Sequence, residues 1–328
     1  MRQPTTLTFI TTDRCTAACK NCCFQCNPQH SKQLALPIIK KHIETAIKLY
    51  PTIRLIVFSG GEPFLLGKDL RAAVKVAKEH QLLCRIVTNA FWSKTEQIAY
   101  KIIQDLKFCG LTELNISTGN EHQQWVPLEN IFNAIDAAIK SDISIAVNVE
   151  THNDVSNSLG ADSFREHPRV QAHIKNPRLT IINGAWVDFT SNKLVKPSNE
   201  VFAHKRCENL FNTITISPSN QMLACCGLSV GKISFLQIGH LDKESINDIY
   251  ENQFNDFLKI WLYTEGPSKI LEIINTHKGV KTINRVANTH ICQYCINIFT
   301  QENLNILRAI YKEHIFRVWL KFKFINKD

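Results

Sequence analysis

The strongest constraint on the fold is a rhythm that runs through the first half of the chain. Short runs rich in apolar residues and threonine alternate with longer segments whose apolar residues recur at helical spacing. The strand-like runs are Leu7–Thr12, Ile53–Phe58, Leu82–Thr88, Glu113–Ser117, Ile143–Glu150 and Leu179–Ile182. Between them, Leu36–Leu49, Asp69–His80, Lys94–Leu106, Leu128–Lys140 and Phe164–Lys175 read as helices. Strand–helix alternation of this kind predicts an α/β fold with a parallel sheet, because parallel neighbours need a crossover and a helix supplies it. The rhythm stops near Gly184. Ala185–Pro197 has no period, and the segment 184–206 reads as a linker. A hairpin signal follows, in which Phe211–Ile216 and Gln221–Cys225 flank the turn formers Ser217-Pro218-Ser219-Asn220. Lys243–Tyr263 and Asn303–Arg317 read as long helices, and Lys321–Ile325 alternates as a short strand would. A chain of 328 residues accommodates about two such domains.

Cysteine is the composition that needs explaining. The chain has 12. No secretory signal precedes the first strand, and no apolar run approaches the ~18 residues of a membrane span. The reading is therefore a cytoplasmic protein, whose reducing surroundings favour metal or redox roles for clustered thiols over disulfides. The net charge of +9 favours anionic partners only weakly, and no nucleic-acid motif accompanies it. Five cysteines, Cys15, Cys19, Cys22, Cys23 and Cys26, fall in the loop after the first strand. Cys15, Cys19 and Cys22 form C-x3-C-x2-C, which offers three thiolates rather than the four donors of a structural zinc site. Ser59-Gly60-Gly61-Glu62-Pro63 leaves the C-terminal end of the second strand. Ligands of α/β folds gather at that end, and adjacent glycines let backbone come close to one.

With these two motifs in this order, the chain resembles the radical S-adenosylmethionine superfamily from about Leu7 to Ile182. The resemblance implies a partial (βα)6 TIM-like barrel over residues 1–183. It implies a [4Fe–4S] cluster on Cys15, Cys19 and Cys22, whose open iron takes the amino and carboxylate groups of S-adenosylmethionine. Gly60, Gly61 and Glu62 would serve the methionine amino group. Asn89, at the end of the third strand, and Ser117, at the end of the fourth, would supply further polar contacts to the cofactor. Reductive cleavage of S-adenosylmethionine would give a 5′-deoxyadenosyl radical that abstracts hydrogen from a substrate, with electrons from a donor such as flavodoxin or ferredoxin. Four positions depart from the family pattern. Asn21 stands where an aromatic or apolar residue usually precedes the third cysteine, with Phe24 as a replacement for packing. Cys23 and Cys26 are extra, either as small buried side chains or as alternative ligands. Val126 lies where related chains carry an arginine. Glu121 and His122, after the fourth strand, read either as acid/base groups or as a solvated polar loop. Cys84 and Cys109 read as core residues.

The C-terminal third holds Cys207, Cys225, Cys226, Cys292 and Cys295. A cysteine before a hairpin, one at its end and a distant C-x2-C resemble the twitch form of the SPASM extension. The resemblance implies an auxiliary [4Fe–4S] cluster on Cys207, Cys225, Cys292 and Cys295, in a domain spanning 207–298. Cys226 in place of Cys225, and a zinc ion in place of the cluster, are the alternatives. Asn220 replaces a turn glycine there and tolerates the left-handed conformation. Residues 299–328 are basic and aromatic, and read as an amphipathic helix packed on the barrel, with a membrane surface or acidic peptide as the less favoured use. The auxiliary domain implies a peptide or protein substrate. A small metabolite is the alternative, and a non-catalytic zinc module a third. The chain begins at its first strand, which leaves leader recognition to another protein or to the barrel mouth.

Overall fold

The computed structural model describes residues 2–151, 160–185, 187, 205–279 and 290–326. Most of the expected linker, 184–206, lies outside them. The chain forms two compact units. One is Thr5–Trp186 with Ile216–Asn220, and the other is Met1–Pro4, Val187–Thr215 and Gln221–Asp328.

The first unit carries β1 (Thr6–Ile10), α1 (Leu36–Leu49), β2 (Leu55–Ser59), α2 (Lys68–Glu79), β3 (Leu83–Thr88), α3 (Glu96–Cys109), β4 (Glu113–Thr118), α4 (Asn120–Gln123), α5 (Leu128–Lys140), β5 (Ser144–Thr151), α6 (Ala161–Glu166), α7 (Pro168–Gln171) and β6 (Leu179–Ala185). Strands β1 to β6 pair in sequence order, every pair parallel, and β6 does not return to β1. The result is an open, partial barrel. Helices α1, α2, α3 and α5 pack one on the next along it. The apolar residues that predicted the strands are the ones buried, among them Leu7, Phe9, Ile56, Phe58, Ile86, Ile116 and Val147. The register aligns Ile10 with Ser59 and Ser117 with Asn148, so the loops after β1, β2, β3 and β4 leave from one rim.

One helix of this half differs from its sequence reading. Phe164–Lys175 is two short pieces, because Pro168 cannot continue a helix and instead opens the next one. Cys84 is fully buried as expected, but Cys109 ends α3 half-buried.

The second unit carries β7 (Thr213–Ile216), β8 (Gln221–Leu223), β9 (Gln237–His240), α8 (Ile246–Asn252), α9 (Phe257–His277), α10 (Ile291–Ile298), α11 (Gln301–Ile310) and α12 (Ile315–Ile325). The turn before β8 uses Asn220 at φ 57°, the left-handed conformation. The core is aromatic. Phe211 stacks on Phe254 at 4.6 Å between centroids, and Trp261, Tyr250 and Tyr263 are almost wholly buried. Three expectations fail here. Asn303–Arg317 is not one helix, since α11 ends at Ile310, a tighter turn spans Tyr311–Glu313, and α12 begins at Ile315. Lys243–Tyr263 is not one helix, since a turn at Gln253–Asn255 breaks it and Asp256 caps a new helix through the N–H groups of Leu258 and Lys259. Lys321–Ile325 is not a strand but the last turns of α12, where Val318 and Phe322 are buried at the spacing of a helix.

Candidate active site and cysteine clusters

The cysteine loop is held by backbone contacts to the loop after β2. Gly61 N–H donates to the Thr12 carbonyl at 2.7 Å, and Glu62 N–H to the Arg14 carbonyl at 2.9 Å. A Cβ on Gly61 would lie 2.0 Å from the Arg14 oxygen, and one on Gly60, whose φ is +130°, would lie 2.6 Å from the Thr12 oxygen. The glycine pair thus admits the protein's own cysteine loop, a closer constraint than the ligand approach expected from the sequence.

Glu62 is fully buried. Its carboxylate accepts the Thr88 hydroxyl at 2.8 Å, the Asn89 N–H at 2.9 Å and the Phe64 N–H at 3.1 Å. Burial raises its pKa to about 7, against the lowering effect of these donors. The side chain ties the ends of β2 and β3 together. Asn89 then extends the tie to the cysteines. Its Nδ2 donates to the Thr16 hydroxyl at 3.0 Å and approaches the Cys15 sulfur at 3.7 Å. Ser117 sits half-buried near the end of β4, on the same rim.

A second clasp was not foreseen. The buried Glu121 carboxylate in α4 accepts both the backbone N–H and the side-chain amide of Asn21, each at 2.9 Å. Glu150, from the end of β5, accepts the Glu121 N–H at 2.5 Å and the His122 N–H at 3.2 Å, and it meets His122 Nδ1 at 2.5 Å. Gly119 permits this, because a Cβ there would fall 2.0 Å from Glu150 Cγ. Asn21 is therefore no defect in the motif. It exchanges apolar packing for a two-point hydrogen bond to a carboxylate. Glu121 and His122 belong to this buried network and not to a solvated loop. The only signal in the sequence was a polar residue where packing was expected, and its partner lies 100 residues away.

Cys15, Cys19 and Cys22 lie within electrostatic reach of one another. Burial pushes the Cys15 thiol up to about 12 and raises Cys19 further. Cys22 moves the other way, to about 6, because the Cys26 thiol and its N–H both donate to the Cys22 sulfur. Cys26 is buried beside Cys22, with its N–H donating to the Cys22 sulfur at 3.4 Å and its thiol 3.8 Å from the Phe24 carbonyl.

In the second unit, Cys295 feels Cys207, Cys292 and Cys225, and Cys207 also feels Cys292. Cys226 is half-buried and also lies within electrostatic reach of Cys207 and Cys225, while Cys225 is buried. Cys292 and Cys295, three residues apart on α10, share one helix face. Gly227 lies against the group, since a Cβ there would be 3.0 Å from the Cys292 sulfur and 3.4 Å from the Cys225 sulfur. Backbone N–H groups of Gly227, Leu228 and Ser229 donate to these two sulfurs, and those of Asn209 and Leu210 to Cys207. The kink in α9 brings Cys207 in. Gly266, at φ +80°, leaves room for the Lys205 carbonyl, which a Cβ would meet at 1.9 Å.

Residues 9–156 match the family model of the radical SAM superfamily. Residues 9–156 thus form a radical SAM domain, a little under half of the chain. A 142-residue stretch is 28% identical to the putative peptide biosynthesis protein YydG of Bacillus subtilis (strain 168), covering 43% of this chain and 44% of that protein. The chain thus matches less than half the length of this curated relative. Among solved structures, native anSMEcpe with bound AdoMet and Cp18Cys peptide aligns at a TM-score of 0.53 and 11% identity, over 96% of this chain and 99% of that one. BtrN in complex with AdoMet and 2-DOIA aligns at 0.51 and 16%, over 82% and 91%. These two likenesses are of fold.

The domain match over residues 9–156 brings S-adenosylmethionine and a [4Fe–4S] cluster as cofactors, and the donor set fits them. Among the described residues, no three His, Cys, Asp or Glu side chains are gathered closely enough to hold a single metal ion. A zinc site needs its donors about 2.3 Å from one point. A four-iron cluster puts each thiolate on its own iron and needs no such point. Cys15, Cys19 and Cys22 supply three thiolates near one another without converging.

Proposed function

We propose that this chain is a radical SAM enzyme acting on a peptide or protein. The observation that carries the reading is the clasped loop, in which Cys15, Cys19 and Cys22 are pinned between the Gly60–Glu62 backbone, Asn89 and Glu121. Cys15, Cys19 and Cys22 would hold the cluster, and Gly60, Gly61, Asn89 and Ser117 line the rim where S-adenosylmethionine would sit. When bound, the pair supplies one-electron cleavage of a sulfonium bond and, from it, hydrogen-atom abstraction from a substrate. The protein's own part is placement. Glu62 holds the β2 and β3 loops at fixed separation, with its carboxylate engaged by protein donors. Asn89 presents an amide N–H to the Cys15 sulfur. Cys26 donates to the Cys22 sulfur, which favours the ligating thiolate form. Asn21 and Glu121 close the turn between Cys19 and Cys22, so that the loop needs little reorganisation.

The peptide substrate is supported by the match to a peptide biosynthesis protein. Cys207, Cys225, Cys292 and Cys295 would hold a second [4Fe–4S] cluster in the extension 207–298, supported by their mutual electrostatic reach and by the N–H donors aimed at their sulfurs. The core would span 1–183, and a flavodoxin or ferredoxin would supply electrons.

The test is anaerobic reconstitution, iron and sulfide counting, reduction, and assay for 5′-deoxyadenosine from S-adenosylmethionine. Cleavage that vanishes in Cys15→Ala is expected. A full iron complement with no cleavage would overturn the enzyme reading. Cys207→Ala should retain about one cluster (~4 iron atoms) and keep the N-terminal one; unchanged iron would remove the second site. Peptides encoded beside the gene, tried as substrates against small metabolites, decide the substrate class.

A further inference from the structure

Helix α12 has two apolar faces, one buried and one exposed. The inner face, Val318 and Phe322, is buried, with the Phe322 ring against Phe211, Tyr263 and Trp319. The outer face is Phe316, Leu320 and Phe324, which are 80%, 48% and 61% exposed. Spaced four residues apart, they form one ridge along the helix. At about 100° per residue, Arg317 and Lys321 flank the ridge on one side and Lys323 on the other. The helix is fixed in this orientation. The buried Glu265 carboxylate accepts Arg317 Nη2 at 2.8 Å and Lys321 Nζ at 2.6 Å. Trp319 lies at the shoulder with Lys323 Nζ 5.8 Å from its ring centroid. From Ile315 to Asn326 the chain carries three cations and no Asp or Glu.

We infer that this ridge docks α12 on an anionic phospholipid surface. The arrangement is that of an interfacial helix, with aromatic and aliphatic side chains able to enter the headgroup boundary and cations at its margins able to meet lipid phosphates. The charge argues against a second copy, since apposing two such ridges would bring the Lys323 ammoniums together with no acid on α12 to offset them, Glu265 being engaged by Arg317 and Lys321. Size argues against a stable protein interface. An eleven-residue helix is about 16 Å long and about 10 Å across, so one ridge offers on the order of 200 Å², well below the ~800 Å² per partner of a standard complex. A fluid bilayer accepts a convex ridge without a matching groove. No helix among the described residues is long and apolar enough to cross a membrane, so the contact is one of lying on the surface.

The experiment is flotation of the reconstituted full chain with vesicles of phosphatidylcholine containing phosphatidylglycerol, against phosphatidylcholine alone. Binding to the anionic vesicles that weakens with salt is expected. The doubly substituted Phe316→Ser, Phe324→Ser protein should lose at least about tenfold in partitioning. Lys323→Ala should lose about fivefold, the usual effect of one surface cation. All these positions are exposed, and unchanged iron content and thermal midpoint check that the variants fold. No binding to anionic vesicles, or binding indifferent to the Phe316 and Phe324 changes, overturns the inference. So does a Phe-dependent dimer in light scattering, which would assign the ridge to a second copy, or saturable capture of an acidic protein partner without vesicle binding. None of these outcomes depends on S-adenosylmethionine cleavage, so the docking reading stands or falls apart from the proposed activity.

Discussion

Reversing the polarity of the Asn21–Glu121 pair isolates what this clasp does for the cysteine loop. In the native arrangement Glu121 Oε2 accepts the Asn21 N–H and Oε1 accepts Asn21 Nδ2, each at 2.9 Å in a buried setting. Glu121→Gln keeps one acceptor, which the backbone N–H can use, but turns an amide donor toward the Asn21 amide donor. One charge-assisted hydrogen bond is lost, and a buried donor is left unsatisfied. Hydrogen bonds to charged groups contribute about 1.5–3 kcal/mol, so the loop should open on the order of 10- to 150-fold more readily. Adding Asn21→Asp restores the lost side-chain bond in reversed polarity, with the new amide on α4 donating to the new carboxylate in the cysteine loop, the backbone N–H bond kept as it was and the total charge unchanged. The double variant should recover most of the loss, with a coupling of about 2 kcal/mol across the cycle. The assay is the rate of iron loss to a chelator under anaerobic conditions. Hydrogen exchange at residues 15–26 in the metal-free protein provides a readout independent of the cluster. If Glu121→Gln loses iron at the wild-type rate, or the two substitutions add without rescue, the clasp does not hold the loop.

Other outcomes follow from the same geometry. Gly61→Ala places a Cβ 2.0 Å from a backbone oxygen that cannot swing aside, so the N-terminal cluster should assemble poorly while the C-terminal thiols retain their iron, as separate iron counts and electron paramagnetic resonance would register. Gly266→Ala, by the same reasoning at Lys205, should spare the N-terminal cluster and release the C-terminal one. Burial raises the Glu62 pKa from 4.5 to about 7, so the folded state favours the protonated acid. Its contribution is fully present below about pH 4.5 and is lost as pH rises through about 7, roughly 3 kcal/mol in all. In urea unfolding of the metal-free protein across that window, wild type should lose stability relative to Glu62→Gln, and parallel pH profiles for the two proteins would refute the assignment.

Much of the first unit was legible in sequence because its elements are locally specified. Strands buried on both faces are continuous apolar runs, and their helices carry one apolar stripe each, so Leu36–Leu49 and Leu128–Lys140 are found at the boundaries that periodicity predicts. The cysteine and glycine motifs were legible for the same reason, since each is a short contiguous run. The second unit was less legible. Its longest helix is kinked at Gly266-Pro267 and buried on nearly all sides, so it carries no clean stripe. The run Lys321–Ile325 reads as alternation only until the helix that contains it is seen to bury Phe322 against a distant aromatic cluster.

Sequence alone was enough for the parallel α/β half and the order of its motifs. These depend on residue type and on spacing along the chain. Only the tertiary structure decided what the motifs do to one another. Gly60 and Gly61 make way for the cysteine loop, Glu62 spends its carboxylate on Thr88 and Asn89, and Glu121 clasps Asn21. Cys26 donates to Cys22, and α12 turns a second apolar face outward. Each of these pairs joins residues whose relation depends on distance in space, and a hydrogen bond or a steric limit a few ångströms long leaves no periodic trace in the chain.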